Sequence, residues 1–115
     1  NEKIGVIHIG WKGIENKIFY KTISKFNLSE LRVSIGPHAQ KCCYEVKEDL
    51  EVKFSQHCIK KENKTFLDLS SQIREFCEVN EINLEVIDVC TIENKKYNSY
   101  RRDKTKNRQS SKIWI

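Results

Sequence analysis

Three short apolar segments, residues 4–9, 31–35 and 84–89, constrain the fold of this 115-residue chain more than any other feature. Nearly continuous apolar runs of this length are typical of β-strands that are covered on both faces. Between the runs, residues 14–26 and 69–79 carry apolar side chains at helical spacing, and Asp68 is suited to cap the second helix. The sequence therefore predicts an α+β fold, a layered α/β sandwich in which helices pack on a mixed β-sheet.

Smaller elements complete this prediction. Residues 46–54 predict a short charged helix, residues 59–64 a basic loop, and residues 110–115 a closing strand. A Gly-Pro break after residue 35 ends the second strand, because proline has no N–H to donate to a sheet, and a loop over residues 38–44 follows. The length fits one domain, residues 1–115.

Hydropathy and charge exclude several classes of protein. No apolar stretch approaches the roughly 18–20 residues of a membrane span, and no signal peptide precedes the first strand, so we expect no membrane partner. The net charge of +5, from 21 basic and 16 acidic residues, permits an anionic ligand. The lysines alternate with acidic residues and no DNA-reading motif is present, so we expect no nucleic-acid partner.

The five cysteines are an odd number and include the adjacent pair Cys42 and Cys43. This is a poor framework for disulfides, so we expect reduced thiols in the cytoplasm, some of them metal ligands or nucleophiles. The chain has no Met, so Asn1 is either a processed start or the edge of a fragment. A buried strand that begins almost at residue 1 also favours a fragment.

Scattered histidines and cysteines are the candidates for a catalytic metal site. His8 ends the first predicted strand, Cys42 and Cys43 lie in the loop after the Gly-Pro break, and His57 follows the next helix. Two imidazoles and a thiolate can hold Zn²⁺ with an open fourth position, where the pKa of a bound water falls toward about 7. The alternative for an isolated histidine such as His8 is a hydrogen-bonded side chain in the core.

The other cysteines have simpler interpretations. Cys58 and Cys77 are predicted to pack in the core. Cys90 ends the third strand, so it either faces the same cleft or is buried.

Basic side chains near the chain's two ends are candidates for binding phosphate. Arg101 and Arg102 are adjacent, so at most one is expected to face a site, where arginine suits bidentate contacts to phosphate. Lys12, in the turn Gly10-Trp11-Lys12-Gly13, is a similar candidate. The alternatives are an exposed charged turn for the arginines and a core position for Trp11, which otherwise could stack on a ligand.

The order of these motifs resembles the laccase-domain family, also called multicopper polyphenol oxidases, whose members act as zinc-dependent purine nucleoside phosphorylases. The similar blocks, in chain order, are His8-Ile9-Gly10-Trp11-Lys12-Gly13, Ile35-Gly36-Pro37, Cys42-Cys43-Tyr44-Glu45-Val46, Leu67-Asp68-Leu69, Cys90-Thr91, Ser99-Tyr100-Arg101-Arg102-Asp103, Arg108-Gln109 and Ile113-Trp114. The chain differs from the family pattern at His38 and Asn107, and it lacks the half that precedes the Gly-Trp block. The resemblance therefore implies the C-terminal portion of a laccase-domain fold.

The resemblance also implies a metal-binding and catalytic trio of His8, Cys42 and His57, with Cys43 as the fallback for Cys42. The implied reaction is phosphorolysis of adenosine, inosine or guanosine, with deamination of adenosine at the same zinc site. The implied partners are the purine nucleoside and phosphate, with a homo-oligomer or a missing N-terminal half left open. Copper fits less well, because multicopper sites need many histidines and this chain has three.

Two other functions stay open at this point. One is an amide hydrolase that edits cell-wall precursors, using a zinc-bound water or Cys42 as the nucleophile. The other is an inactive fragment that binds a metal ion or a partner.

Overall fold

The computed structural model describes residues 3–105. The elements in chain order are α1 (Trp11–Glu15), α2 (Ile18–Ile23), β1 (Arg32–Ile35), β2 (Glu45–Val46), α3 (Glu48–Lys53), β3 (Cys58–Lys61), β4 (Lys64–Leu67), α4 (Ser71–Val79), β5 (Asn83–Val86) and α5 (Tyr100–Asp103). Two short 3₁₀ turns, Leu28–Glu30 and Ser55–His57, precede β1 and β3.

The strands in this range form two sheets. In the first, β1 and β5 run parallel, with Val33 opposite Leu84. In the second, β4 lies between β2 and β3 and is antiparallel to both. The α+β class is confirmed, whereas the single mixed sheet of the prediction is replaced by one parallel and one antiparallel sheet.

Two apolar clusters form the core, and the first two helices divide between them. The first cluster consists of Ile14, Tyr44, Val46, Leu50, Phe54 and Leu67. The second consists of Phe19, Ile23, Ile73, Cys77 and Ile82. Ile9 packs against both clusters, so the end of the N-terminal segment is anchored at the junction of the two.

The predicted first strand is wrong. Residues 3–10 contain neither helix nor strand, and Ile4 and Val6 are 45% and 56% exposed. A strand needs a neighbour to satisfy its backbone N–H and C=O groups, and no strand within residues 3–105 pairs with this segment. Apolar composition alone therefore did not determine its structure.

The single helix predicted over residues 14–26 is divided into α1 and α2. Lys17 lies between them with a φ of 57°, a left-handed conformation that reverses the chain locally. Gly13 allows this tight arrangement, because a Cβ there would lie 3.1 Å from Cγ2 of Ile18. The helical spacing of apolar side chains continues through the break, so the pattern did not reveal it.

The predicted basic loop at residues 59–64 is also wrong, because these residues form most of the β3–β4 hairpin. Glu62 and Asn63 have φ values of 54° and 64°, as both central residues of a type I′ turn require. The exposed strand β3 is rich in lysine, and Lys60 forms a 3.0 Å ion pair with Glu51. A solvated strand of this kind gives no apolar alternation to detect.

The remaining predictions differ mainly in their boundaries. The helix at residues 46–54 is shorter, since Val46 belongs to β2, and the third strand ends at Val86. Helix α4 begins at Ser71 instead of residue 69. Oδ1 of Asp68 accepts a hydrogen bond from the backbone N–H of Ser70 at 3.2 Å and so closes the turn before the helix. The closing strand predicted at residues 110–115 lies outside the described residues.

Candidate functional site

Three thiols meet at one end of the parallel sheet. The sulfur atoms of Cys42, Cys43 and Cys90 all lie within 4.8 Å of one another. The Sγ atoms of Cys42 and Cys43 are 3.0 Å apart, and the Cys42 thiol donates a long hydrogen bond of 3.7 Å to Oε2 of Glu93. Among residues 3–105, these three cysteines are the one group of three or more His, Cys, Asp or Glu whose ligand atoms converge this closely. We call this group the thiol cluster.

The topology explains why the three thiols meet. Strands β1 and β5 are parallel, so the segments that follow them leave the sheet at the same edge. His38 and Cys90 form an isolated parallel bridge there, with the N–H of Thr91 donating to the carbonyl of His38 at 3.0 Å. The sequence left open whether Cys90 faces the cleft or is buried, and the structure shows that it is buried, with its sulfur close to those of Cys42 and Cys43.

Gln40 holds the two halves of the thiol cluster together. Its carbonyl accepts hydrogen bonds from the N–H groups of Cys43 and Tyr44 at 3.0 and 2.9 Å, which closes the turn that carries Cys42 and Cys43. Its own N–H donates to Sγ of Cys90 at 3.3 Å, and its side-chain amide donates to Asp88 at 3.1 Å. Sequence reasoning missed Gln40, because a backbone role leaves no pattern of residue types.

The three thiols differ in acidity. Burial raises the pKa of Cys90, but backbone N–H groups of Gln40, Glu93 and Ile92 stabilise its thiolate, and the net effect lowers that pKa. Burial of the thiol raises the pKa of Cys42 well above its ordinary value, and hydrogen bonds with Cys43 and Cys90 add to the effect. The pKa of Cys43 is also raised, mainly by burial. Cys90 is therefore the most acidic of the three thiols.

The predicted ligands His8 and His57 are not members of the thiol cluster. His8 is exposed in the segment without regular structure. His57 is half-buried in the turn before β3, where its Nδ1 shares a hydrogen bond with Oγ of Ser71. In the part of the chain that the structure describes, the ligand atoms of His8, Cys42 and His57 do not converge as those of the thiol cluster do. The trio of His8, Cys42 and His57 as shared zinc ligands stays a prediction.

Arg102 holds a loop by its guanidinium group. One terminal nitrogen donates to the carbonyls of Thr91, Ile92 and Asn94 at 2.9, 3.1 and 3.2 Å, and the other donates to the carbonyl of Tyr97 at 2.7 Å. Nε donates to the carboxylate of Asp103 at 2.8 Å. All three nitrogens are therefore engaged within the protein, and Arg102 fixes the loop that carries Glu93.

In the segment Gly10-Trp11-Lys12-Gly13, the side chain of Trp11 is largely covered and that of Lys12 is exposed. Trp11 packs against the first apolar cluster, in agreement with a core position. Its ring also lies near two ammonium groups, with Nζ of Lys53 at 5.2 Å and Nζ of Lys12 at 5.6 Å from the centroid. Lys12 is exposed, and Lys53 forms a 2.7 Å ion pair with Glu15. Lys12 is therefore accessible to an anion, whereas the indole ring is largely covered.

Together these features define an α+β protein with a cluster of free thiols at the end of a parallel strand pair. A sequence model of the family described as "Multi-copper polyphenol oxidoreductase laccase" matches residues 1–115. The chain belongs to this family.

Curated relatives agree with this assignment. The chain is 31% identical to a purine nucleoside phosphorylase of Aquifex aeolicus over 99% of its own length and 57% of that protein. It is 34% identical to one of Clostridium acetobutylicum over 87% of its length and 48% of that protein. It is 32% identical to purine nucleoside phosphorylase YfiH of Escherichia coli over 98% of its length and 51% of that protein. The chain thus spans about half the length of the curated relatives it matches.

None of the helices within residues 3–105 is long and apolar enough to cross a bilayer.

Proposed function

We propose that this chain contributes to a purine nucleoside phosphorylase, which converts adenosine, inosine or guanosine and phosphate into the free base and ribose 1-phosphate. The observation that carries the proposal is the similarity to proteins of that name at 31–34% identity over 87–99% of the chain. The proposal makes the protein a transferase.

The chemistry requires cationic side chains beside phosphate and beside the departing base. A phosphate oxygen forms a bond to C1′ of the ribose while the bond from C1′ to N9 breaks and its electron pair leaves with the purine. The ribose carries positive charge in the transition state, and preorganised electrostatic contacts to phosphate and purine lower the barrier. We assign phosphate binding to Lys12 and Arg101.

Arg102 has a different role in this proposal. Its contacts to four backbone carbonyls and to Asp103 support a positioning role next to Arg101. A phosphate ion would have to displace several of these hydrogen bonds, so we no longer assign Arg102 to direct phosphate binding.

Zinc is the proposed cofactor, and bound zinc would supply an activated water for deamination of adenosine as a second activity. The ligand trio of His8, Cys42 and His57 stays a prediction, and the reaction described above uses no step through it. The free thiols support a reducing compartment, so we propose a cytoplasmic location. Association with a second copy or with a further polypeptide segment stays a prediction that analytical ultracentrifugation can measure.

The experiment follows release of hypoxanthine from inosine with and without inorganic phosphate. It uses the 115-residue chain and the same chain joined to the remaining part of the Aquifex aeolicus relative. We expect release that requires phosphate, with kcat/KM lowered by about 100-fold or more in Lys12→Ala and Arg101→Ala. Lys21→Ala, a matched change at an exposed lysine of α2, is expected to retain full activity. Release that is equally fast without phosphate would replace the phosphorylase with a hydrolase.

A further inference from the structure

We propose that the segment of residues 3–9 is a docking strand, which joins the parallel sheet beside β1 and pairs on its outer edge with a strand of a further polypeptide. The partner is the part of a family protein that this chain does not span, since the chain covers about half the length of its curated relatives. The inference goes beyond the proposed phosphorylase activity, because it names an interaction surface, and its test measures no activity.

The segment already runs in the direction that such a strand requires. Near its start, Nζ of Lys3 donates a hydrogen bond of 3.3 Å to the carbonyl of Lys25, just after α2. Near its end, Ile9 lies against α1, where a Cβ on Gly13 would be 3.2 Å from Cγ2 of Ile9. The segment is therefore antiparallel to α1 and α2, as the first strand of a β-α-β unit is to the helix that follows it.

The positions of the helices decide which edge of the sheet the segment joins. Helices α2 and α4 both pack in the second apolar cluster, together with Val33, Ile35 and Leu84, so they cover the same face of the sheet. A crossover between parallel strands is right-handed in about 98% of cases. Two right-handed crossovers on one face step in the same direction, so the segment belongs on the edge of β1 opposite β5. No strand within residues 3–105 occupies that edge.

The side chains of the segment alternate as those of a strand do. Ile9 packs against both apolar clusters, and a Cβ on Gly5 would lie 3.6 Å from the ring of Phe26, so these two positions face the core. Ile4 and Val6 alternate with them and are 45% and 56% exposed. The exposed apolar surface is therefore on the face of the segment that points away from the helices.

Elsewhere the protein protects its exposed strands with polar side chains. β3 is at the edge of the antiparallel sheet and carries Lys60 and Lys61, and charges of this kind prevent pairing with other chains. The exposed positions of β1 are Arg32 and Ser34. Residues 4–9 contain no lysine, arginine, acidic residue or proline. An apolar strand without such protection is suited to pairing with an added strand, which supplies backbone hydrogen bonds and apolar cover together.

A second copy of this chain is the competing partner. Two copies that pair along one strand would share only residues 4–9 of each, whereas a stable interface between proteins uses about 20–30 residues a side. The part of the family that this chain does not span is about as long as the chain itself, which covers 48% and 51% of two relatives. A polypeptide of that size can cover the strand together with the surface around it.

The test is hydrogen exchange in the 115-residue chain and in the same chain joined to the remaining part of the Aquifex aeolicus relative. Successive N–H groups of a strand point to opposite edges, so pairing with β1 alone protects every second amide. We expect all amides of residues 4–9 to exchange more slowly in the joined chain, by about 100-fold or more, because both edges are then paired. Protected amides of residues 65–67, in the central strand β4, verify folding in both samples.

Two valine variants of the joined chain separate the docking strand from general stability. Val6→Asp places a charge on the face that the partner covers, and it should speed exchange of residues 4–9 by about 10-fold or more while residues 65–67 stay protected. Val52→Asp changes a valine of α3 that is 79% exposed, and it should leave residues 4–9 as protected as in the unmodified joined chain.

Three results would overturn the proposal. Residues 4–9 are equally protected in the isolated chain, or they stay unprotected in a joined chain whose residues 65–67 are protected. Protection of alternate amides alone in the joined chain would place the segment beside β1 without a partner strand. Protection that rises with the concentration of the isolated chain would assign the edge to a second copy instead.

Discussion

Arg101 and Arg102 are equivalent in the sequence, and the structure gives the contacts of Arg102. The guanidinium of Arg102 has backbone carbonyls and Asp103 around all three nitrogens. A lysine has no planar fork and cannot reproduce these contacts. Arg102→Lys should therefore loosen residues 91–97 and lower the thermal unfolding midpoint, whereas Arg32→Lys at an exposed position of β1 should not. Hydrogen exchange of the loop amides measures the first effect, and unchanged exchange in Arg102→Lys would contradict the positioning role.

The ion pair between Arg102 and Asp103 makes the stability of the protein depend on pH. The Arg102 guanidinium lowers the pKa of Asp103 below its ordinary value of 3.8. A carboxyl with a lowered pKa in the folded state stabilises the protein fully above its unfolded pKa, and this contribution is lost as the pH falls through the folded pKa. Asp103→Asn should therefore unfold at a lower temperature than the unmodified chain at pH 7, and the difference should shrink below pH 3.8. Melting curves across this range measure it, and a difference that grows on acidification would contradict the account.

At the scale of elements, the β3–β4 hairpin shows a local conformation that its sequence disfavours. Glu62 has a φ of 54° in the turn, a conformation that glycine adopts without the steric cost that a Cβ atom adds. Glu62→Gly should raise the free energy of unfolding by about 0.5–1 kcal/mol, because it relieves this strain. Glu75→Gly at an exposed position inside α4 is the matched control and should lower it by about 1 kcal/mol. Denaturant unfolding measures both, and destabilisation by Glu62→Gly would contradict the assigned turn.

The same elements show how far the sequence could predict the fold and the site. The helix around Ile73 was predictable because its buried face leaves a helical period in the sequence. The strands around Val33 and Leu84 were predictable from their apolar runs, but alternate residues of both strands are exposed, so the expected cover on both faces is wrong. The hairpin and the break at Lys17 were not, since exposed lysines and a left-handed residue leave no such period. The thiol cluster depends on the parallel pairing of two strands that lie far apart in the chain, which spacing alone cannot reveal.

At the scale of the whole molecule, the thiol cluster joins loops that are 50 residues apart in sequence at Gln40 and Cys90. An ion that binds only the folded chain stabilises it by RT ln(1 + [L]/Kd), which is about 2.7 kcal/mol at 100 times Kd. Zinc at that concentration should therefore raise the free energy of unfolding by up to about 2.7 kcal/mol. Cys42→Ser should show no such rise, and Cys58→Ser should show all of it. An equal rise in both variants would contradict a specific site.

The central claim, that this chain takes part in phosphorolysis of purine nucleosides, is tested most directly by NMR of inosine and inorganic phosphate with the protein, with ³¹P spectra following phosphate and ribose 1-phosphate and ¹H spectra following inosine, hypoxanthine and ribose. The sample is the chain joined to the remaining part of the Aquifex aeolicus relative, because the chain spans 57% of that protein. The account predicts a ribose 1-phosphate signal that grows in step with hypoxanthine as the phosphate signal falls. Hypoxanthine that forms with free ribose while the phosphate signal stays constant, or an inosine signal that does not change, would contradict it.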